Sequence, residues 1–398
     1  YNIANTSGGG IYNWATLEIQ AGSLISSNEA FGTEEEQGGG GIYNDDTMTA
    51  TGSIISDNRS SSDGGGLYLW AASATLDNCT VSGNFASGGG GGFYLLGSDL
   101  SLDNSVIISN TATGAGGGIL NDAGTTTLNG STVRENTAAY GGGIYNGYYT
   151  TTVTGSRLLY NTATTNGGAV YNNEEIDAAT GVTGSCIVGN SDIAFYNNRD
   201  EQQIATGNWW GAGTGPNTSG ADTVLGDVDI SGYLTEPILD CTSDLQVGKT
   251  NDTGGQTIVG SPFHWTLTIS NTGLLNASFE TGHVILEDNL PEGPSYGTPA
   301  VNNLVDITNS ANIACTINQN TLTCEALAGG VIIGSVTGSF EVSFSVTSDT
   351  PGTLVNPTGI CRVDPDGHVD EGDEDNSCPA DFVEMTALAI YLPMVIRE

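Results

Sequence analysis

The sequence predicts an all-β protein, with a parallel β-helix of about eight coils followed by a β-sandwich. Three observations support this prediction. A glycine-rich unit repeats through the first half of the chain, mostly at intervals of 25 or 26 residues. Within the repeated unit, apolar and polar residues alternate with the period of a strand. The repeat then stops near Cys241, and longer alternating segments begin there.

Composition limits the classes of partner. The chain has 398 residues, with 45 acidic and 7 basic side chains, a net charge of −38 and 59 glycines. This length suits two domains or one elongated domain. Such a negative charge repels nucleic acid and anionic membranes, and no run of eighteen apolar residues predicts a membrane span. The remaining partner classes are cations, neutral glycans and other proteins.

Two features of the sequence indicate the cellular compartment of the protein. It begins at Tyr1 with neither an initiator Met nor a signal peptide, which predicts a processed protein or part of a longer one. Seven cysteines accompany a single lysine, Lys249. This usage favours an extracellular protein, either secreted or held at the cell surface.

The repeat contains three elements that keep step along the chain. An asparagine precedes each glycine cluster, and an apolar residue follows it. Upstream lies a segment such as GSIISDN or GSTVREN, in which a small residue comes two positions before an aliphatic one. The asparagines are Asn5, Asn28, Asn58, Asn84, Asn110, Asn136, Asn161 and Asn190. The small residues are Ser23, Ser53, Cys79, Ser105, Ser131, Ser156 and Ser185.

These elements predict one coil of a β-helix. Nothing in the unit has the 3.6-residue period of a helix, and the fifth full repeat offers three short strands, about TTLNG, STVREN and GGGIYN. Coils stacked at ~4.8 Å give a rod of roughly 40 Å. Glycines supply the corner conformation. Stacked asparagines predict an amide ladder, formed by Asn28, Asn58, Asn84, Asn110, Asn136, Asn161 and Asn190.

The repeats resemble those of bacterial secreted right-handed parallel β-helix proteins, including the polymorphic outer-membrane proteins. The resemblance rests on the NTAxxGGGIYN pattern, and GNWWGAGTGP at 207–216 followed by VDISGYL is similar to the last turn and cap of such β-helices. It covers about residues 1–240. The family includes adhesins, sheath-like surface proteins, polysaccharide lyases and hydrolases, so the resemblance implies no single activity.

The second half predicts a sandwich over residues 241–385, followed by an apolar strand or tail at 386–398. Two alternating segments indicate half-buried strands, with Phe263, Trp265, Leu267 and Ile269 in one and Phe340, Val342, Phe344 and Val346 in the other. VGKT, VGSPFHWTLTISNTG and LEDNLPEG resemble the Ig-like modules called domain of unknown function eleven. That resemblance implies a spacer or assembly module.

Cysteine spacing predicts three disulfides. Cys315 and Cys324 have the spacing of a hairpin, Cys361 and Cys378 bracket an acidic loop, and Cys186 with Cys241 would clamp the last coils to the linker. The seventh, Cys79, takes the position of an inward serine. We therefore expect a buried free thiol there rather than a reactive one.

Catalytic groups are scarce in the repeats. All three histidines lie outside them, and the repeats hold four arginines, too few for a lyase that must bind acidic glycans.

Two acidic insertions, FGTEEEQ with the later Asp45 and Asp46, and NNEEID at 172–177, lie five coils apart. At a separation of roughly 24 Å, the two insertions are too far apart to supply the paired catalytic carboxylates of a glycosidase. Glu174 and Asp192 on adjacent coils remain a possible pair, and solvated loop tips are the alternative.

The loop DPDGHVDEGDEDN, residues 364–376, is the metal candidate. Calcium takes six to eight oxygen ligands, and Gly367 permits a sharp turn among closely spaced carboxylates. The complete EF-hand spacing is missing, so a solvated acidic loop is the alternative. The candidate ligands are Asp364, Asp366, Asp370, Glu371 and Asp373.

Aromatic residues offer a weaker hypothesis of glycan binding. Trp209 and Trp210 would either bind a sugar face or, as the resembled motif implies, pack the end of the β-helix. Tyr148, Tyr149 and Tyr160 are further platform candidates.

The open ends of a β-helix favour self-association. The chain begins midway through a coil and ends in an apolar, β-prone segment, which predicts head-to-tail pairing by strand addition. The last strand of the sandwich, or an anchoring tail, is the alternative. The assembly candidates are Ile390, Tyr391, Leu392, Val395 and Ile396. The predicted function is therefore a non-enzymatic, self-assembling structural protein of a bacterial surface, with a polysaccharide-active enzyme or a glycan-binding adhesin as alternatives.

Overall fold

The computed structural model describes residues 1–34, 36–175, 177–191, 193–238, 241–369, 371 and 376–387. The chain divides into two compact units, residues 1–238 and 239–398. The first is a parallel β-helix, and the second consists mainly of antiparallel sheets. The predicted fold class is therefore confirmed, and the boundary lies two residues before the predicted one.

Three parallel sheets form the β-helix. Sheet 1 follows the ladder asparagines and contains Ile3–Ala4, Glu29–Ala30, Arg59–Ser60, Phe85–Ala86, Thr111–Ala112, Thr137–Tyr140 and Thr162–Asn166. Sheet 3 contains Leu24–Ser26, Ile54–Ser56, Thr80–Ser82, Val106–Ile108, Thr132–Arg134, Arg157–Leu159 and Cys186–Val188.

Sheet 2 has two rows of strands, which two long strands connect. The first row follows the glycines: Ile11–Asn13, Ile42–Asn44, Leu67–Trp70, Phe93–Asp103, Ile119–Asn129, Ile144–Asn146, Val170–Asn172, Phe195–Asn197 and Val224–Leu225. The second row adds Leu17–Ile19, Thr47–Thr51, Ser73–Asp77, Thr150–Thr154, Ala179–Thr183, Gln203–Ile204 and Val228–Asp229.

The structure differs from the predicted coil in two details. In the described part of the chain, the first row of sheet 2 has nine strands, so the β-helix has about nine coils rather than eight. In the described part of the chain, seven coils also have a strand that the repeat analysis missed, the short one that follows the ladder asparagine, such as Thr111–Ala112. Two-residue strands show almost no alternation, which is why the sequence did not reveal them.

The predicted asparagines form a buried, directional ladder. Each side chain donates from Nδ2 to the Oδ1 of the asparagine one coil further on, at 2.9 Å between Asn84 and Asn110 and 3.0 Å between Asn110 and Asn136. The same Oδ1 also accepts the backbone N–H of the preceding asparagine. Asn110 and Asn136 are fully buried. The ladder therefore satisfies polar groups that would otherwise lie unpaired between coils.

The two ends of the ladder differ from the alignment. The residue that pairs with Asn28 is Asn2, not Asn5, because strand Ile3–Ala4 is in register with Glu29–Ala30. At the other end Asn190 donates to the carboxylate of Asp222 at 2.7 Å. A carboxylate only accepts hydrogen bonds, so it ends a chain of donors without needing a further acceptor.

Asp222 gives the β-helix a predicted pH dependence. Burial raises its pKa to about 6, although hydrogen bonds from Asn190 and Gly189 act in the opposite direction. The native state therefore holds the proton more tightly than the unfolded chain does. This contribution to the free energy of unfolding is about 3 kcal/mol. It is fully present below about pH 4 and is lost as the pH rises through 6.

The measurement is the free energy of unfolding of the protein between pH 4 and pH 7. Asp222→Asn is expected to flatten this profile. The matched control is Asp227→Asn, at an exposed carboxylate close by in sequence, which should leave the profile as it is. Equal slopes in wild type and Asp222→Asn would contradict the assignment.

The glycine cluster has two separate functions at the corner. The first glycine of a cluster, such as Gly116 with φ of +67°, adopts a left-handed conformation. The next one lacks room for a side chain, since a Cβ on Gly117 would lie 2.4 Å from the carbonyl oxygen of Gly142. Only the first of these functions was predicted.

The second unit has an apolar core between antiparallel strands. Phe263–Asn271 pairs with Ser339–Thr347 and brings Trp265 opposite Phe344. All eight residues of the predicted alternating segments are buried. The other strands of this sheet are Leu245–Asn251, Ser295–Tyr296 and Ala300–Val305. A second sheet contains Gln256–Ile258, Gly352–Asn356 and Asp381–Thr386.

Two further sheets complete this unit. They contain Ala277–Phe279, Ile307–Thr308, Val331–Ile333, Val284–Asn289, Ile313–Asn318, Thr321–Ala326 and Cys361–Val363, with one 3₁₀ turn at Ser310–Asn312. Disulfides join Cys315 to Cys324 and Cys361 to Cys378, as the spacing predicts. Cys186 and Cys241 are both disulfide-bonded. Within the described residues, no helix has the length and apolar character needed to cross a membrane.

Candidate functional site

A stack of tyrosines lies on the outer side of sheet 2. The central residue of each IYN-type strand points away from the core, so parallel pairing places these rings above one another. Adjacent ring centroids are 4.7–5.1 Å apart in the stack from Tyr12 to Tyr94. They are 5.0–5.1 Å apart in the stack from Tyr145 to Tyr196. We call this surface the tyrosine face; it comprises Tyr12, Tyr43, Tyr68, Tyr94, Tyr145, Tyr171 and Tyr196.

Within the stacks, the faces of the tyrosine rings pack mostly against neighbouring rings. Tyr68 is only 1% exposed, whereas Tyr12 at the first coil is 48% exposed and contacts Trp14, which is 77% exposed. Leu120 replaces a tyrosine in one coil and separates the two stacks. The tyrosine face therefore presents ring edges and hydroxyl groups rather than a row of open rings.

Carboxylates accompany this face. Burial raises the pKa of Tyr145 to about 12, and the charges of Asp122, Glu175 and Glu174 add to that rise. Burial likewise raises the pKa of Tyr43, with help from Asp45 and Glu36. Carboxylates of both acidic insertions, Glu36 with Asp45 and Glu174 with Glu175, therefore act on tyrosines of this face.

The charges of Asp63 and Asp122 both act on Tyr94, and we call these three residues the acid–tyrosine cluster. Tyr94 donates its hydroxyl to Asp122 at 3.0 Å, and Asp63 accepts the N–H of Gly89 at 2.6 Å. Burial raises the pKa of Asp63, and repulsion by Asp122 adds a smaller rise. Asp63 therefore holds a proton more readily than a solvated aspartate does, and Asp122 accepts a hydrogen bond from a phenol.

The sequence analysis missed this cluster. Asp63 lies directly before a glycine cluster, and Asp122 follows the outward Leu120 by two residues. Both look like solvated corner residues. Coil stacking brings both acids to Tyr94, because Tyr94 pairs with Tyr68 in the preceding coil and with Leu120 in the next. Of the predicted pair, Glu174 lies beside the tyrosine face, and Asp192 is outside the described residues.

The acidic loop does not gather its described carboxylates around one point. Asp364 is buried and accepts the N–H groups of His368 and Val369 at 3.0 and 2.8 Å. Glu371 accepts the N–H of Leu245 at 2.9 Å. Asp366 lies 3.8 Å from the ring of His368, while Asp370 and Asp373 fall outside the described residues. Within the described chain no group of three His, Cys, Asp or Glu could hold a metal ion, and calcium binding stays a prediction.

The two tryptophans support the packing interpretation. Trp210 is fully buried in the core of the β-helix, and Trp209 is 6% exposed. Neither ring offers a face to a sugar. Tyr148 and Tyr149 are 38% and 54% exposed and remain candidates for glycan contact, while Tyr160 is half-buried.

Cys79 is a buried thiol within a second ladder. Its N–H donates to the Oγ of Ser105, and its Sγ donates to the carbonyl of Asp77, as Ser105 does to Asp103. Burial raises the pKa of the thiol. We expect the native protein to resist a maleimide at pH 7 and to react fully after denaturation. Cys79→Ser should keep native stability within about 1 kcal/mol, and rapid labelling of native protein would contradict this assignment.

Comparisons with known proteins concern the fold. Residues 2–158 match the family described as the right handed beta helix region. No curated protein matches the sequence. A solved structure titled as the enzymatically active domain of bacteriophage CBA120 tailspike protein 4 is similar over 82% of this chain and 53% of that chain, at 11% identity and a TM-score of 0.27. The chain thus spans about half the length of that domain, and so low a score carries no argument about function.

Proposed function

We propose that this β-helix repeat protein is a non-enzymatic, extracellular structural protein of a bacterial cell surface that assembles with copies of itself. The observation that carries the proposal is the use of the repeated polar residues. The ladder asparagines point inward and bond to the next coil. The repeated asparagines therefore serve to make the β-helix rigid. The disulfides favour an oxidising compartment.

Self-assembly would use the apolar C-terminal segment, Ile390–Ile396, which lies outside the described residues. Its β-prone sequence suits addition to an open strand edge of a neighbouring copy. Contacts of this head-to-tail kind that do not close produce filaments. The Ig-like resemblance of the second unit is compatible with an assembly module.

The test is negative-stain microscopy of the purified full chain, with and without EDTA. Ordered filaments or sheets support the proposal, and their loss in EDTA would add calcium at the contacts. A variant truncated after residue 385 should remain monomeric. Uniform monomers of the full chain under both conditions would contradict self-assembly.

The acid–tyrosine cluster favours a second candidate, a glycan-binding or glycan-hydrolysing surface. Two carboxyl groups in different environments are the arrangement that general acid–base hydrolysis of glycosides requires. Screening against neutral polysaccharides, with reducing-end release as the readout, tests this candidate. Activity abolished by Asp63→Asn but not by Asp99→Asn, at an exposed carboxylate on sheet 2, would favour it over the structural role. Binding without reducing-end release would favour an adhesin.

A further inference from the structure

Three polar side chains meet inside the apolar core of the second unit. The single lysine of the chain, Lys249, contacts the carboxylate of Asp288 with 2.8 Å between Nζ and Oδ1. The other oxygen of that carboxylate accepts the Nδ2 of Asn356 at 3.0 Å. Both charged side chains are 0% exposed, and Asn356 is equally buried. One carboxylate therefore bridges an amine and a carboxamide away from water.

These residues come from strands that are far apart in sequence. Lys249 lies in Leu245–Asn251, Asp288 in Val284–Asn289, and Asn356 ends Gly352–Asn356, and the three strands belong to three different sheets. The sandwich itself therefore brings the groups together. The hydrogen-bond partners of the cluster differ from those described for the acidic loop, where Asp364 accepts from His368 and Val369.

The environment favours the uncharged forms of the pair. Burial lowers the pKa of Lys249 and raises that of Asp288, although their mutual attraction opposes both shifts. Among the described residues, the Oδ1 of Asn356 is buried without a hydrogen-bond donor. A proton moved from the amine to the carboxylate would leave a nucleophilic nitrogen and an acid beside the unpaired carbonyl oxygen of an amide.

We propose that Lys249 and Asn356 join in an intramolecular isopeptide bond, with Asp288 as the catalytic residue that transfers protons between them. This inference is independent of the proposed function. It adds a covalent modification to the second unit that neither the disulfides nor the ladders provide.

The reaction balances without an added reagent. The ion pair first exchanges one proton, which gives a neutral Lys249 amine and a neutral Asp288 acid. The Nζ attacks the Cγ of Asn356 while Asp288 donates its proton to the Oδ1. Asp288 then takes a proton from the Nζ and passes it to the Nδ2. The Cγ–Nδ2 bond breaks, ammonia leaves, and the proton on the former Oδ1 returns to Asp288, so an amide joins Nζ to Cγ with Asp288 again protonated.

The consequence for the fold is a crosslink between its first strand and a strand close to its end. Lys249 and Asn356 enclose most of the described second unit, so the bond would close a large loop. Closing a loop restricts the unfolded chain, as a disulfide does. Unlike a disulfide, an amide withstands reducing agents.

The test is intact-mass measurement of the purified full chain after complete reduction. We expect a mass lower than that of the sequence by one molecule of ammonia. A succinimide at another asparagine would lose ammonia too, so the protein is also digested after Asp and Glu. The decisive product is peptide 245–252 joined to peptide 350–366, identified by fragmentation.

Variants separate the chemistry from folding. Lys249→Met, Asp288→Ala and Asn356→Ala should each retain the full mass and yield the two peptides separately. Asn318→Ala, at an exposed asparagine of the same unit, should keep the crosslink. The wild-type result stands even where a variant fails to fold. Full wild-type mass, with the two peptides recovered separately and no joined product, would overturn the proposal.

Discussion

Replacing Asn110 with alanine is expected to destabilise the β-helix by on the order of 5 kcal/mol. This single side chain accepts from the backbone N–H and the Nδ2 of Asn84, and it donates to Asn136 and to the carbonyl of Val81. Alanine would leave these buried groups unpaired and would open a cavity between coils. Each unpaired group costs ~1–3 kcal/mol.

Chemical denaturation followed by circular dichroism measures this loss. The matched control is Asn129→Ala, whose exposed side chain bonds to Asp103 on the coil surface at 3.0 Å. The control should cost less than about 1 kcal/mol. Because coils contact only their neighbours, a local opening around residue 110 is also expected, with faster hydrogen exchange in adjacent coils. Equal losses in the two variants would contradict the ladder as the source of stability.

Replacing Lys249 with methionine is expected to destabilise the second unit by about 3–5 kcal/mol, because the variant leaves Asp288 buried without its cation. Both side chains are completely inaccessible to water. The measurement is the free energy of unfolding at pH 7. This value applies to protein in which the isopeptide bond has not formed. In the crosslinked protein Lys249 is no longer a cation, and the loss is that of the crosslink instead.

The double variant Lys249→Met with Asp288→Leu tests the electrostatic origin of the effect. It removes both charges, so part of the lost stability should return, although Asn356 then lacks its acceptor. A double variant less stable than Lys249→Met alone would indicate that Asp288 stabilises the unit through Asn356 rather than through the lysine.

The repeat made most of the β-helix predictable. Regular spacing of Asn84, Asn110 and Asn136 has no other simple explanation than stacking, and their hydrogen bonds follow from that stacking. The alignment failed where the residue type changed or the spacing was irregular. It selected Asn5 in place of Asn2, and it could not find Asp222, since a search for asparagines passes over the carboxylate that completes the ladder.

The candidate sites were less predictable for a different physical reason. Asp63 and Asp122 act on Tyr94 because successive coils stack, and Lys249, Asp288 and Asn356 meet because strands of three sheets pack together. Neither contact leaves a periodic signal. The sequence shows Lys249 only as the single lysine of the chain. Its partners can be identified only from the packing of the core.

The ladder also has a consequence for how this unit changes in evolution. Asn84 and Asn110 make the same bonds as their neighbours, so one extra coil of 26 residues inserted between them would meet matching partners on both sides. Duplication of a single coil thus lengthens the solenoid by ~4.8 Å without requiring a new interface. An insertion of half a coil would break the ladder. The length of the unit is therefore free to grow or shrink, but only in whole-coil steps.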